Sequence, residues 1–307
     1  MLEINIAIID LGSNSVRMNI LDVQGGEFKL IDQFKEIVRL SEGMGVEKTL
    51  KPNAIEKMLV VMSEFKRKID EYDVKKIFPI ATAAVRIASN PEALTKPLAE
   101  IGINLEVVSG EKEAYYDYLG VMDTLDIRDC VIVDTGGAST EIILVRDRIH
   151  YGLVSIPFGA VNISETYLKG KKTSQSEITA AKKAISDEID KINWIKCAKD
   201  LPIVGLGGSI RAIGKTEKLR RNKVDVPMHN FEMSDNDLFS LCNKLAKSSL
   251  ESRKKLDGIG KARADIIIGG SLPITVLMRK LSSKSLIIST SGLREGVLYE
   301  ILKDGKI

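Results

Sequence analysis

Short apolar runs and longer helix-spaced apolar stripes alternate along the chain, in an order that occurs twice. Ile4–Ile9 is a run suited to a strand buried on both faces. Ser15–Leu21 alternates instead, with Val16, Met18 and Ile20 on one face and Ser15, Arg17 and Asn19 on the other. Glu27–Ile37 reads as a third strand after the Gly25-Gly26 turn. Pro52 then opens a helix in which Ile55, Met58, Leu59, Met62, Phe65 and Ile69 keep helical spacing. A strand at Lys76–Ala81, a helix from Pro91, a strand at Asn104–Val108 and a helix at Glu111–Met122 complete the first round. The second round places strands at Asp129–Asp134, Thr140–Arg146 and Arg148–Ile156. Helices follow at Gly159–Leu168 and Ser174–Trp194, the latter capped by Ser174 or Ser176, and a strand at Pro202–Gly205 leads into another helix. Mixed charge and Pro227 make residues 216–232 a loop. Helices at Asp235–Lys247 and Lys261–Lys280, the second disturbed by Gly269, Gly270 and Pro273, precede a strand at Leu286–Ser289 and a terminal helix at Leu293–Leu302.

Two rounds of β-β-β-α-β-α predict an α/β protein of two ribonuclease-H-like lobes. The first lobe is residues 1–124 with the terminal helix 293–307; the second is residues 125–292. Actin, sugar kinases and the heat-shock chaperone ATPases share this architecture, with a phosphate-binding cleft between the lobes. No low-complexity linker separates the halves, so any hinge is short. Fold of this kind does not fix the reaction.

The chemistry begins with a turn that also occurs twice. IAIIDLGSNSVRMNIL starts at Ile6 and CVIVDTGGASTEIILV at Cys130, and an offset of 124 superposes Asp10 on Asp134, Gly12 on Gly136 and Ser15 on Ser139. In each copy an Asp at a strand end offers a carboxylate to a hydrated divalent cation. The small residues after it, Ser13, Asn14 and Ser15 in one copy and Gly136, Gly137, Ser139 and Thr140 in the other, bring backbone N–H groups and hydroxyls toward phosphate oxygens. One such turn also fits an ordinary hairpin; two in register, opening two similar halves, point to loops that share a phosphate. A third Gly/Ser turn, GLGGS, places Gly207, Gly208 and Ser209 where a strand meets a helix, a natural anion position.

At 307 residues, with 44% apolar and 28% charged residues, the chain suits two soluble domains. No apolar stretch reaches membrane-spanning length uninterrupted, and Glu3 and Asp10 stand where a signal peptide would be basic and then apolar. Cys130, Cys197 and Cys242 form no metal or redox spacing and read as reduced packing residues, so the expected location is cytoplasmic. A net charge of +3 gives no case for nucleic acid. Three basic clusters, Lys169/Lys171/Lys172, Lys218/Arg220/Arg221/Lys223 and Arg253/Lys254/Lys255, are solvated faces or a track for a polyanion. Two histidines are too few for a His-Asp metal phosphohydrolase domain.

The segments DLGSNS, ATAAVR, SGEKEA, DTGGASTE, GLGGS and STSGLREGVLYE occur in the order and spacing of one family. From Ile6 to Ile301 the chain resembles the exopolyphosphatase and guanosine pentaphosphate phosphohydrolase family, in its short, two-domain form. The resemblance implies hydrolysis of the terminal phosphate of polyphosphate or guanosine pentaphosphate with Mg2+, and leaves open whether K+ is a further activator. It implies Glu113 as the catalytic base, although Lys112 replaces the first carboxylate of the family's S-G-x-E-E-A pattern. It implies a phosphate contact from Arg86, and Asp134 and Glu141 as metal ligands with Asp10. Strand parity puts Ser139, Glu141 and Ile143 on one face. The offset makes Arg17, a substrate-binding candidate, the counterpart of Glu141. Ala138 stands where the family often has a third glycine. Arg294 and Glu295 are expected to hold the last helix against the first lobe. The expected partners are the phosphate substrate and a second copy in a homodimer, with neither nucleic acid nor membrane. An ATP-dependent small-molecule kinase, a non-hydrolytic guanosine tetraphosphate sensor and an actin-like filament remain as rivals.

Overall fold

The structure, a computed structural model, describes residues 4–169 and 173–305. The chain divides into two units, Met1–Glu113 with Leu293–Ile307, and Ala114–Gly292. The first division falls inside a helix, where the apolar pattern places it at 124/125.

In the first unit β1 (Ile4–Leu11), β2 (Ser15–Gln24) and β3 (Glu27–Ile37) form an antiparallel meander. Beside β1 lie β4 (Lys76–Ala81) and β5 (Glu106–Val107), parallel to it, giving the order β3-β2-β1-β4-β5. Central β1 is covered on both faces, and Ile6, Ala7, Ile8 and Ile9 are all fully buried, as its unbroken apolar run requires. The helices are α1 (Pro52–Glu71), α2 (Ala83–Arg86), α3 (Glu92–Glu100) and the start of α4 (Gly110–Thr124). Pro52 sits in the first turn of α1, and Ala54, Met58, Val61, Met62, Phe65 and Ile69 form its buried stripe. The terminal helix Leu293–Lys303 returns to this unit and packs on β1. Its Arg294 is buried and donates from Nη1 to Asn19 Oδ1 on β2 at 2.6 Å. Burial pushes the Arg294 pKa down. The bond gives the expected docking role a partner.

The second unit repeats the plan with one strand added. Its elements are β6 (Cys130–Thr135), β7 (Thr140–Arg146), β8 (Ile149–Ile156), α5 (Ala160–Tyr167), α6 (Gln175–Ile189), β9 (Ile203–Leu206), α7 (Gly207–Arg220), β10 (Phe231–Ser234), α8 (Asp235–Lys247), α9 (Leu250–Lys254), α10 (Ile267–Lys280) and β11 (Ser285–Ile288). The terminal helix is then α11. The sheet order is β10-β11-β9-β6-β7-β8, with β6, β9 and β11 parallel and β10 antiparallel at the edge. Ser174 caps α6 by accepting the Glu177 N–H, while Glu177 returns a bond to the Ser174 N–H.

Besides α2 and α9, which no pattern marks, and α6, which stops at Ile189 short of Trp194, two segments depart from the pattern-based expectation. Residues 216–232 are not all loop: α7 continues to Arg220, and Phe231–Ser234 pairs with β11. The reason is a charge cluster that closes on itself. Glu217 is fully buried and accepts from Arg220 and Arg221 three and four residues on, and both arginines also reach Asp237 on α8. Glu217→Ala leaves two arginines facing a vacated buried position, so it is expected to cost about 3 kcal/mol in urea unfolding. A loss below about 1 kcal/mol would show that the cluster is solvated and does not hold α7. The second departure is at 261–266, which forms turns, so α10 begins only at Ile267. Among the described residues no helix is long and apolar enough to cross a membrane.

Candidate functional site

The two Asp-Gly-Ser turns close with the same hydrogen bond. Gly12 N–H donates to the Ser15 carbonyl at 3.1 Å, and Gly136 N–H to the Ser139 carbonyl at 3.0 Å. In the first unit the turn is braced from outside: the N–H groups of Val38 and Arg39 donate to the Asn14 carbonyl, and that of Ser41 to the Ser13 carbonyl. Ser13 and Asn14 are buried, and among the described residues neither Nδ2 nor Oδ1 of Asn14 has a hydrogen-bond partner. An orphaned buried amide costs free energy unless something polar meets it, which suits a phosphate-binding position. Ser15 and Arg17 are half-buried on β2, and Arg17 stands opposite Asp10 in the β1–β2 register.

The candidate base lies in the same unit, at the start of α4. Ser109 caps this helix: its hydroxyl accepts the Lys112 N–H at 3.1 Å and its carbonyl the Glu113 N–H at 3.0 Å. Glu113 is buried, and its Oε2 accepts from Arg86 Nη1 at 2.8 Å. The same guanidinium nitrogen donates to the Val108 carbonyl at 3.0 Å. The residues expected separately as base and phosphate ligand are thus one ion pair. Lys112, the departure from the family pattern, bonds to Glu300 on α11 and ties the first turn of α4 to the terminal helix.

In the second unit Asp134 and Glu141 stand directly opposite each other across β6 and β7. Glu141 is buried, and its Oε1 accepts from Ser155 Oγ at 2.7 Å. Like charges so placed repel unless a cation joins them. Magnesium is commonly held by one or two carboxylates, with waters and phosphate oxygens completing its shell, so this donor pair fits the ion. Among the described residues no group of three or more potential ligands gathers. In the first unit Asp10 has Arg17 opposite it.

Ser139 shares the strand face of Glu141, but Thr140 takes the other face, fully buried, and donates its hydroxyl to the Phe158 carbonyl. Its proton is committed there, which corrects the expectation that the Thr140 hydroxyl donates to phosphate. The Gly136 and Gly137 carbonyls accept the first N–H groups of α5, from Ala160 and Val161. Ala138 is not in a positive-φ conformation, so a methyl group is accepted where the family often has glycine.

The third turn opens α7. Gly207 has a φ of +86°, and a Cβ on Gly208 would lie 2.0 Å from Arg263 Nη2. Gly208 therefore leaves space that the Arg263 guanidinium fills, placing a cation at the start of this helix. Ser209 Oγ is buried, with no hydrogen-bond partner among the described residues. Arg263 escapes sequence reading because it lies in a turn-rich stretch with no periodic signal.

Two of the basic clusters are internally committed. Arg220 and Arg221 hold Glu217 and Asp237, and Lys218 donates to the Val226 carbonyl. Arg253 is buried and donates to the carbonyls of Ala264 and Ser248, and Lys254 pairs with Glu251. Of the remaining cluster, Lys171 and Lys172 lie outside the described residues.

Known proteins resemble this chain over most of its length. A guanosine-5'-triphosphate,3'-diphosphate pyrophosphatase of Pseudoalteromonas atlantica is 29% identical over 307 residues, which is 97% of this chain. The chain spans 58% of that relative's length. The crystal structure of the Aquifex aeolicus Ppx/GppA family member is 29% identical, covers 99% of both chains and superposes with a TM-score of 0.80. An exopolyphosphatase structure from Cytophaga hutchinsonii shares the fold with a TM-score of 0.90 at 21% identity, over 98% of both chains. The profile of the Ppx/GppA phosphatase family matches residues 19–304. The chain belongs to the Ppx/GppA phosphatase family.

Proposed function

We propose that the protein is a phosphoanhydride hydrolase that releases the terminal phosphate of inorganic polyphosphate or of guanosine pentaphosphate. The observation that carries this reading is the buried Glu113 carboxylate held by Arg86 at the capped start of α4. Hydrolysis needs a positioned base, whereas a phosphate sensor has no use for one. Glu113 takes a proton from water; the water oxygen bonds the terminal phosphorus as the bridging P–O bond breaks, and the shortened chain leaves with the electron pair. Arg86, joined to that carboxylate, fixes its direction and presents a permanently charged fork to the phosphate oxygens. Asn14, Ser139 and Ser209 add polar donors at the three turns, with Arg263 as a further cation. Asp134 and Glu141 are the residues that would hold magnesium, which when bound neutralises charge developing on the phosphate oxygens. Such catalysis is mostly positioning and electrostatics, which suits a site of turns, arginines and one base.

The test is phosphate release from long-chain polyphosphate and from guanosine pentaphosphate, each with magnesium and with EDTA. Release from at least one substrate, abolished by EDTA, is the expected result, and the ratio of rates identifies the preferred substrate. Release from neither, with polyphosphate still bound, would replace the hydrolase reading with a sensor.

A further inference from the structure

The clusters of basic residues visible in the sequence are mostly spent on internal partners, but three cations far apart in the sequence meet on the outside of the second unit. Lys182 on α6, Lys247 on α8 and Arg279 on α10 line one recess, with Phe239, Cys242 and Asn243 beside them. Its volume is about 50 Å³, several times the ~10–15 Å³ that one water requires. Among the described residues no carboxylate lines it. Helix ends explain two of the cations, since Lys247 and Arg279 lie in the last turns of α8 and α10. They do not explain Lys182, which sits in the middle of α6. Burial and the nearby Arg279 charge push the Lys182 pKa down. Cys242 does not offset that charge, because burial raises its thiol to about 11 and keeps it neutral. The Arg279 guanidinium lies over the Phe239 ring, 4.8 Å from its centroid, which holds the fork in place.

Three basic residues lining one recess with no carboxylate among them are an arrangement that an anion completes. We propose that this recess binds a phosphate group, either as orthophosphate or as one unit of a polyphosphate chain. The site is separate from the Gly/Ser turns. Ile268, Ser271, Leu272, Thr275 and Arg279 line the recess along one face of α10, whereas Gly270, which packs on Ser209 at the third turn, lies on another. The orthophosphate source requires nothing of the proposed hydrolase activity, whereas the polymer source extends it.

Competitive acetylation of the full-length protein, resolved by mass spectrometry to single lysines, tests this without reading activity. Lys182 is the reporter, and Lys183, its exposed neighbour, is the internal control. Orthophosphate is expected to slow Lys182 labelling by about tenfold, the effect of one pK unit, if the product is the ligand. If the polymer is the ligand, protection appears with polyphosphate at phosphate-equivalent concentrations where orthophosphate has none. Lys247→Gln, an exposed change that leaves packing intact, and Arg279→Gln should each weaken the protection. Protection by neither anion, equal protection by sodium chloride at matched ionic strength, or protection unchanged in both variants would overturn the proposal.

Discussion

Glu113→Gln is expected to lower the turnover of phosphate release by about a thousandfold, within the range attributed to a positioned general base. The substitution is close to isosteric, and the Gln carbonyl oxygen can still accept from Arg86 Nη1, so the Arg86–Val108 contact and the cap of α4 should survive. What disappears is the ability to take a proton from water. KM should therefore change little while kcat falls, and the thermal midpoint should stay within a few degrees of wild type. Glu111→Gln provides the control, because Glu111 is exposed in the same first turn and has the same relation to the helix end. Steady-state release assays on both variants, with melting curves, decide the matter. A Glu113→Gln enzyme within tenfold of wild type would move the base elsewhere, and an equal loss in Glu111→Gln would point to the charge of the helix end instead of proton transfer.

The duplicated architecture is legible in the sequence because its signals are local. Apolar runs bounded by Asp and Gly mark β1 and β6, and alternation marks β2. The offset of 124 residues finds two turns that prove to share a hydrogen bond, Gly12 to Ser15 and Gly136 to Ser139. What the sequence hides is set by tertiary contact. Arg86 and Glu113 are 27 residues apart, and nothing in ATAAVR or SGEKEA reveals that they pair. Arg263 gains meaning only through the missing side chain of Gly208. The charged stretch from Thr216 reads as loop by composition, yet buried Glu217 holds Arg220 and Arg221 within the helix and both arginines reach Asp237. Lys182, Lys247 and Arg279 carry the opposite lesson: lysines and arginines that look scattered in the sequence converge on one recess. Thr140 shows the limit of motif reading, since it follows Ser139 in the phosphate turn and faces the other way.

Gly207→Ala is expected to damage both stability and activity, and Gly26→Ala separates the causes. Both glycines are left-handed, with φ of +86° and +89°. A Cβ at Gly26 would meet nothing within 4 Å, so that variant carries only the backbone penalty, about 1–2 kcal/mol. A Cβ at Gly207 would lie 2.5 Å from the Thr135 carbonyl oxygen and 2.6 Å from Asp134 Oδ1. The first neighbour is backbone of β6 and cannot swing aside; the second is a carboxylate proposed to hold magnesium. Overpacking of that kind adds about 1–3 kcal/mol, so Gly207→Ala should lose roughly 2–5 kcal/mol in urea unfolding when the backbone penalty is included. If the fold survives, Asp134 is displaced from its position opposite Glu141, and the magnesium concentration giving half-maximal phosphate release should rise. Gly26→Ala should leave that concentration unchanged. Equal stability losses in the two variants would mean that α7 shifts to accept the methyl group, and an unchanged magnesium requirement in Gly207→Ala would remove Asp134 from the proposed metal site.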